Sequence, residues 1–122
     1  GGQKFWSWYG FESRVEWCAC FASWCAEQSG MVASGQVLKF SSCAVGASWF
    51  QGQGRWKGKG YTPSAGDFIF FDWNKDGQVD HVGIVVNVAN GRVNTIEGNT
   101  SNMVARRSYQ LGGIVIVGYG YI

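Results

Sequence analysis

Three cysteines fall within eight residues of the segment EWCACFASWCAEQSG, at Cys18, Cys20 and Cys25, and a fourth follows at Cys43. Thiols at such spacings can ligate a metal, pair as disulfides, pack as small apolar groups or, as a thiolate beside a base, attack a carbonyl. The chain has one histidine, His81, so any cysteine–histidine chemistry has only one base to use. In RVNTIEGN, Glu97 and Asn99 are a carboxylate and an amide two residues apart. Either can accept an imidazole N–H and fix the tautomer that leaves the other ring nitrogen free.

These groups must be positioned by regular elements. SRVE at 13–16 has capping-box form, which predicts a helix from there to Gly30. On that helix Trp17, Phe21 and Trp24 make an apolar stripe. Cys18, Ala22, Cys25 and Ser29 make a second stripe of small side chains that lets another element come close, and Cys20 points elsewhere. A helix N-terminus favours a thiolate, and Cys18 is the earliest of the three thiols. SSCAVGASWFQ reads as a short serine-capped helix carrying Cys43. Cys20, Cys25 and Cys43 are expected to pack inertly.

The period then changes. DFIFFDW, HVGIVVNVA, RVNTIEGN and GIVIVGYGYI read as strands, with a hairpin at Asn90-Gly91 and a polar surface loop in QGQGRWKGKGYTPSAGD. Alternation puts His81, Gly83, Val85 and Asn87 on one face of their strand and Val82, Ile84, Val86 and Val88 on the other. The hairpin brings Glu97 and, if the strand stays extended, Asn99 alongside His81. The expectation is α+β: N-terminal helices packed on a C-terminal antiparallel meander.

With 122 residues, 46% hydrophobic and 15% charged, the chain fits one globular domain, residues 1–122, expected to be a monomer cut from a longer protein. A formal charge of +2 without a clustered basic face argues against nucleic-acid binding. No apolar run approaches the ~18 residues of a membrane span, so no membrane insertion is expected. An even count of four cysteines permits disulfides, though a chain of this size does not need them.

Taken in order, EWCACFASWCAEQSG, PSAGDFIFFDW, DHVGIVVNV and NTIEGNTS resemble the successive motifs of the CHAP domain. This is the cysteine- and histidine-dependent amidohydrolase/peptidase family of peptidoglycan hydrolases, with a papain-like core. The resemblance covers nearly the whole chain. It implies Cys18 as nucleophile, His81 as base, Glu97 as orienting group and Asn99 as a further polar site residue, with Trp17, Trp73 and Asp80 meeting substrate. The implied partner is peptidoglycan, cut at an amide bond by an amidase or endopeptidase without a required cofactor. The implied setting is a secreted, endolysin-like protein of bacterial or phage origin acting at the cell wall, with further domains.

Three other readings stand beside it. DWNKDGQVD matches the front of an EF-hand loop, with Asp72, Asn74, Asp76 and Asp80 as calcium candidates, but position twelve is Gly83 rather than glutamate. Cys18, Cys20, Cys25 and His81 could be offered as zinc ligands, although Cys20 faces away on a helix. A catalytically silent wall-binding module could use Trp6, Trp8, Trp49, Trp56 and Trp73 as stacking platforms. The loops QGQGRWKGKGY and NTSNMVARRSY, with Lys57, Lys59, Arg106 and Arg107, are expected to shape the substrate pocket.

Overall fold

A computed structural model of the chain describes residues 1–100 and 102–122. Three helices, α1 (Gln3–Tyr9), α2 (Cys18–Gln28) and α3 (Cys43–Gly52), precede the sheet. Its strands are β1 (Trp56–Gly58), β2 (Phe68–Phe71), β3 (His81–Ala89), β4 (Arg92–Thr100), β5 (Met103–Gln110) and β6 (Ile116–Gly120). The sheet order is β1-β6-β2-β3-β4-β5, and every neighbouring pair is antiparallel. The fold is α+β, as expected, but only β2 to β5 form a meander. β6 returns beside β2, and β1, in the segment read as a loop, pairs with it on the outside.

The sheet has two apolar faces because β2 alternates between them. Phe68 and Phe70, with Val82, pack against Cys18, Ala19, Ala22 and Ala26 of α2 and Ala47 and Phe50 of α3. Ile69 and Phe71, with Val85, Val93, Ile116 and Tyr119, fill the opposite face. Burying Phe50, Phe68 or Phe70 contributes roughly 1.5–3 kcal/mol each relative to exposure. The small-residue face of α2 is therefore real but turned by about one residue from the expected stripe. Ala19 and Ala26 touch the sheet, whereas Cys25 is half-buried and Ser29 exposed.

Helix α2 does not start at the capping box. It begins at Cys18, with Trp17 as a cap residue that makes no side-chain cap bond. Tertiary bonds compete for the residues that would have formed the box. Arg14 Nη2 donates to Asn99 Oδ1 at 2.9 Å, and Glu16 accepts from the Asn99 amide instead of folding back on Ser13. α3 follows its expected pattern, with Ser42 Oγ accepting from Val45 N at 3.3 Å. The unforeseen α1 closes the far side of α2: Phe5 stacks on Trp17 at 5.5 Å and meets Phe21 and Trp24 edge-on. Among the described residues, no helix is long and apolar enough to cross a membrane.

Close packing of α2 on β4 depends on Gly98. A Cβ there would lie 2.5 Å from Phe21 Cβ and 2.9 Å from the Trp17 ring. Ser23, fully buried, ties α2 to the segment before α3, donating to Phe40 O at 2.7 Å and accepting from Phe40 N at 2.9 Å. Both partners of that hydroxyl lie in the interior, where an unmade bond costs about 1–3 kcal/mol.

Candidate active site

Because α2 starts at Cys18, this thiol occupies the first helical position rather than the second turn. The N–H groups of a first turn have no intrahelical acceptors, so a negative sulfur there is favoured. Cys18 is buried, at 4% exposure. His81 opens β3 and is buried, close enough for its imidazole to lower the pKa of the Cys18 thiol. Its Nε2 donates to Glu97 Oε1 at 2.8 Å, which leaves Nδ1 as the ring nitrogen free for the thiol.

Strand register explains why Glu97 reaches His81. Ile84 lies opposite Ile96 and Val85 opposite Thr95, so continuing the ladder sets Glu97 across from Gly83 and diagonal to His81 on one face. Gly83 supplies the room: a Cβ there would come within 2.6 Å of Glu97 Cγ. The carboxylate is fully buried and accepts from Thr95 Oγ1 at 2.5 Å, Tyr109 OH at 2.7 Å and Thr100 Oγ1 at 3.3 Å besides His81. A buried charge is tolerable only with such complete pairing.

The titration behaviour follows from these contacts. Cys18 is lowered to about 5, first by a hydrogen bond from the Cys43 thiol and then, against the cost of burial, by the bond and charge of His81 and by the Val82 backbone. For His81, burial alone would lower the pKa. The bonds and charges of Cys18 and Glu97 outweigh it and raise the imidazole to about 9. Burial likewise pushes Glu97 up, but the donors from His81, Thr95 and Tyr109 hold it below the usual carboxylate range. Cys20 and Cys25 move the other way, each pushed up to about 11 chiefly by burial.

A sequence model described as the CHAP domain matches residues 8–99. The chain belongs to the CHAP family. Two solved structures, described as the crystal structure of Ly7917 with the hydrolyzing product of MDP and the crystal structure of Ly7917, share its fold. Each is 20% identical with a TM-score of 0.57 over 84% of this chain. The chain spans about half the length of those structures, 52% and 51%. Among curated protein sequences, none matches.

Within this CHAP domain, Cys18, His81 and Glu97 come together, whereas several other expected residues do not. Asn99 does not face His81. It takes a left-handed backbone conformation (φ 60°) where the β4–β5 register shifts, and its amide binds Arg14 and Glu16 instead. Trp17 is only 1% exposed and stacked on Phe5, so its ring offers no face to a substrate. Trp73 is 43% exposed, stacks on Phe71 at 4.9 Å and sits 5.7 Å from the His81 ring, at the rim of the site. The Asp80 carboxylate is occupied by the Trp73 backbone N–H at 3.0 Å and holds the hairpin.

The calcium candidates serve the same turn. Asp72 accepts from Asp76 N and Gly77 N, and Asp76 accepts from Gln78 N. Among the described residues, no group of three His, Cys, Asp or Glu is placed to hold a metal ion, and Cys20 packs with Trp17 and Phe21.

Sequence reading missed Thr95, Tyr109 and the approach of Cys43. Thr95 carried a signal, lying two residues before Glu97 on the same strand face. Tyr109 lay in NTSNMVARRSY, taken for a loop, in which residue 101 lies outside the described residues. From Met103 onward this segment is β5, and Tyr109 pairs with Val93 on the face that holds Glu97.

Two expectations arise from this geometry. Iodoacetamide should modify Cys18 at a nearly constant rate between pH 6 and 8, because its thiolate persists above about 5 and the imidazolium below about 9. An ordinary thiol is only about 1% thiolate at pH 6.5. A rate climbing tenfold per pH unit from 6 to 8 would contradict the pairing. Gly83→Ala should push Glu97 off His81, since the new Cβ meets the Glu97 stem at 2.6 Å. The expected cost is about 10²-fold in kcat with the fold retained, as for other sub-ångström to ångström misplacements; unchanged turnover would contradict it.

Proposed function

We propose that this CHAP domain hydrolyses an amide bond in the peptide part of peptidoglycan through an acyl-enzyme on Cys18. The observation that carries the reading is the buried relay in which Cys18, at the start of α2, meets His81, whose far nitrogen is held by Glu97 at 2.8 Å. Membership of the CHAP family supplies the substrate class. The hydrolysis product named with the Ly7917 structure agrees with hydrolysis on this fold.

The chemistry follows from the charges. The Cys18 thiolate attacks the amide carbonyl carbon; the C–S bond forms and the carbonyl electrons move to oxygen. The first-turn N–H groups of α2 lie beside the sulfur and suit that oxyanion. As the intermediate collapses, the C–N bond breaks and imidazolium His81 gives its proton to the departing amine. Neutral His81 then takes a proton from water, which attacks the thioester, releases a carboxylic acid and restores the thiolate. Glu97 keeps the ring oriented and stabilises its charge throughout, with Thr95 and Tyr109 fixing the carboxylate in turn.

The substrate lies in the polar cleft lined by Trp73, Asn99, Thr100, Arg107, Ser108 and Tyr109. Trp73 at its rim offers an apolar surface next to His81, and Arg107 a cation for a stem-peptide carboxylate. The domain works at the cell wall as part of a longer, exported protein, cutting as an amidase where the peptide meets muramic acid or as an endopeptidase within the stem or cross-bridge.

Mass spectrometry of fragments released from defined peptidoglycan tests this directly. New amino groups should appear in equal number with new carboxyl groups, and their position distinguishes amidase from endopeptidase. Release of sugar reducing ends without new amines would overturn the reading.

A further inference from the structure

From the sequence, Cys43 is expected to pack inertly on its own helix. The structure puts it elsewhere. Its Sγ lies 3.3 Å from Cys18 Sγ, with both residues buried, at 8% and 4% exposure, whereas Cys20 packs with Trp17 and Phe21. All four cysteines are free, and 3.3 Å is well beyond the ~2.05 Å of a disulfide. The contact is a thiol–thiolate hydrogen bond between the first residues of two helices, α2 and α3.

Which sulfur holds the proton is decided by the surroundings. Cys18 faces the His81 imidazole, a cation when protonated, and also the Val82 backbone. Cys43 is buried and lies in the fields of Cys18, Asp80 and Cys20, all of which disfavour a charge on it. Negative charge therefore settles on Cys18, and Cys43 is the donor. Its position is fixed by the neighbouring cap, where Ser42 Oγ accepts from Val45 N, and by α3 packing Ala47 and Phe50 into the core. A buried thiol on a packed helix, 3.3 Å from a negative sulfur, is a suitable donor.

We propose that Cys43 is a positioning residue of this reaction: its S–H donates to the Cys18 sulfur and holds the nucleophile as a thiolate in line with His81. The inference rests on Cys18 being the nucleophile. No bond is made or broken at Cys43. When Cys18 attacks and its charge passes to the carbonyl oxygen, the S–H···S hydrogen bond weakens, and it strengthens again when hydrolysis of the thioester restores the thiolate. The donor therefore sets the lower pH at which the enzyme is armed rather than the chemistry at its optimum.

The test is the pH profile of iodoacetamide incorporation at Cys18, read by peptide mass mapping without substrate, in the native protein, Cys43→Ser and Cys43→Ala. Loss of the donor in Cys43→Ala should raise the acidic limb by one unit or more, so that labelling two units below neutrality falls about fivefold or more while labelling at pH 8 changes little. Cys43→Ser keeps an O–H donor and should move the limb less. Should Cys43→Ala fail to fold by circular dichroism, Cys43→Val, which fills the volume without a donor, takes its place. An acidic limb unmoved in the donorless variant, or moved equally by Ser and Ala, would overturn the role of Cys43. Absence of labelling at Cys18 in the native protein would instead overturn the proposed function, so the two failures are distinguishable.

Discussion

Replacing Cys18 with alanine is expected to lower amine release from peptidoglycan by about 10⁴-fold or more, the scale on which loss of an activated nucleophile acts. The change removes one sulfur from a first helical turn that keeps its backbone bonds, including Phe21 N to Trp17 O at 2.9 Å. Alanine is also the better helix former, so the fold should survive with a stability loss of about 1 kcal/mol. Circular dichroism and Tm of the variant provide that control. Cys20→Ala and Cys25→Ala should remain active, because burial pushes both thiols up to about 11 and neither touches His81. An active Cys18→Ala protein, or an inactive but folded Cys20→Ala protein, would count against the assignment.

The second large effect is expected at Glu97. This carboxylate is fully buried and takes bonds from His81, Thr95, Tyr109 and Thr100. Glu97→Gln keeps the volume but introduces an amide N–H₂ among four donors, and it no longer holds the Nε2 proton of His81. Loss of the orienting carboxylate in such a relay costs about 10³–10⁴-fold in turnover. The pH profile should change as well: with its carboxylate partner gone, the His81 pKa falls from about 9, and the basic limb of activity moves to lower pH. Glu97→Ala adds a stability penalty of about 3–5 kcal/mol, because it leaves buried donors and an unpaired imidazolium behind. Asn99→Ala should cost far less in turnover, since its amide is engaged with Arg14 and Glu16 at the edge of the site. Equal losses at Glu97 and Asn99 would contradict this division of roles.

How much of this was legible depended on the range of the determining contact. The α+β class, β2 to β4 and the Asn90-Gly91 hairpin follow from periods and turn residues read within a few positions. The diagonal pairing of His81 with Glu97 does not follow from the hairpin alone: with Ala89 opposite Arg92, an unbroken ladder would set Glu97 across from Ile84, and the register shift between Val85 and Asn87 brings it to the His81 face. The start of α2 did not follow, because the local capping signal at Ser13 lost to bonds between Arg14, Glu16 and Asn99, residues more than eighty apart in the chain. The same network, with the positive φ of Asn99, removed that residue from the face on which simple alternation had put it. β5 was invisible because it is an edge strand, largely exposed and therefore without an apolar alternation. The approach of Cys43 to Cys18 depends on how two helices meet, which no periodicity within either one records.

The central claim, that Cys18 carries an acyl group from peptidoglycan with His81 as its proton donor, is most directly tested by intact-protein mass spectrometry. Protein mixed with soluble peptidoglycan fragments and quenched in acid within milliseconds to seconds should show an added mass equal to the acyl portion. That adduct should map to Cys18, be cleared by hydroxylamine as a thioester is, and be absent from Cys18→Ala. Fragment cleavage that continues in Cys18→Ala, or an adduct that maps to any other residue, would contradict the account.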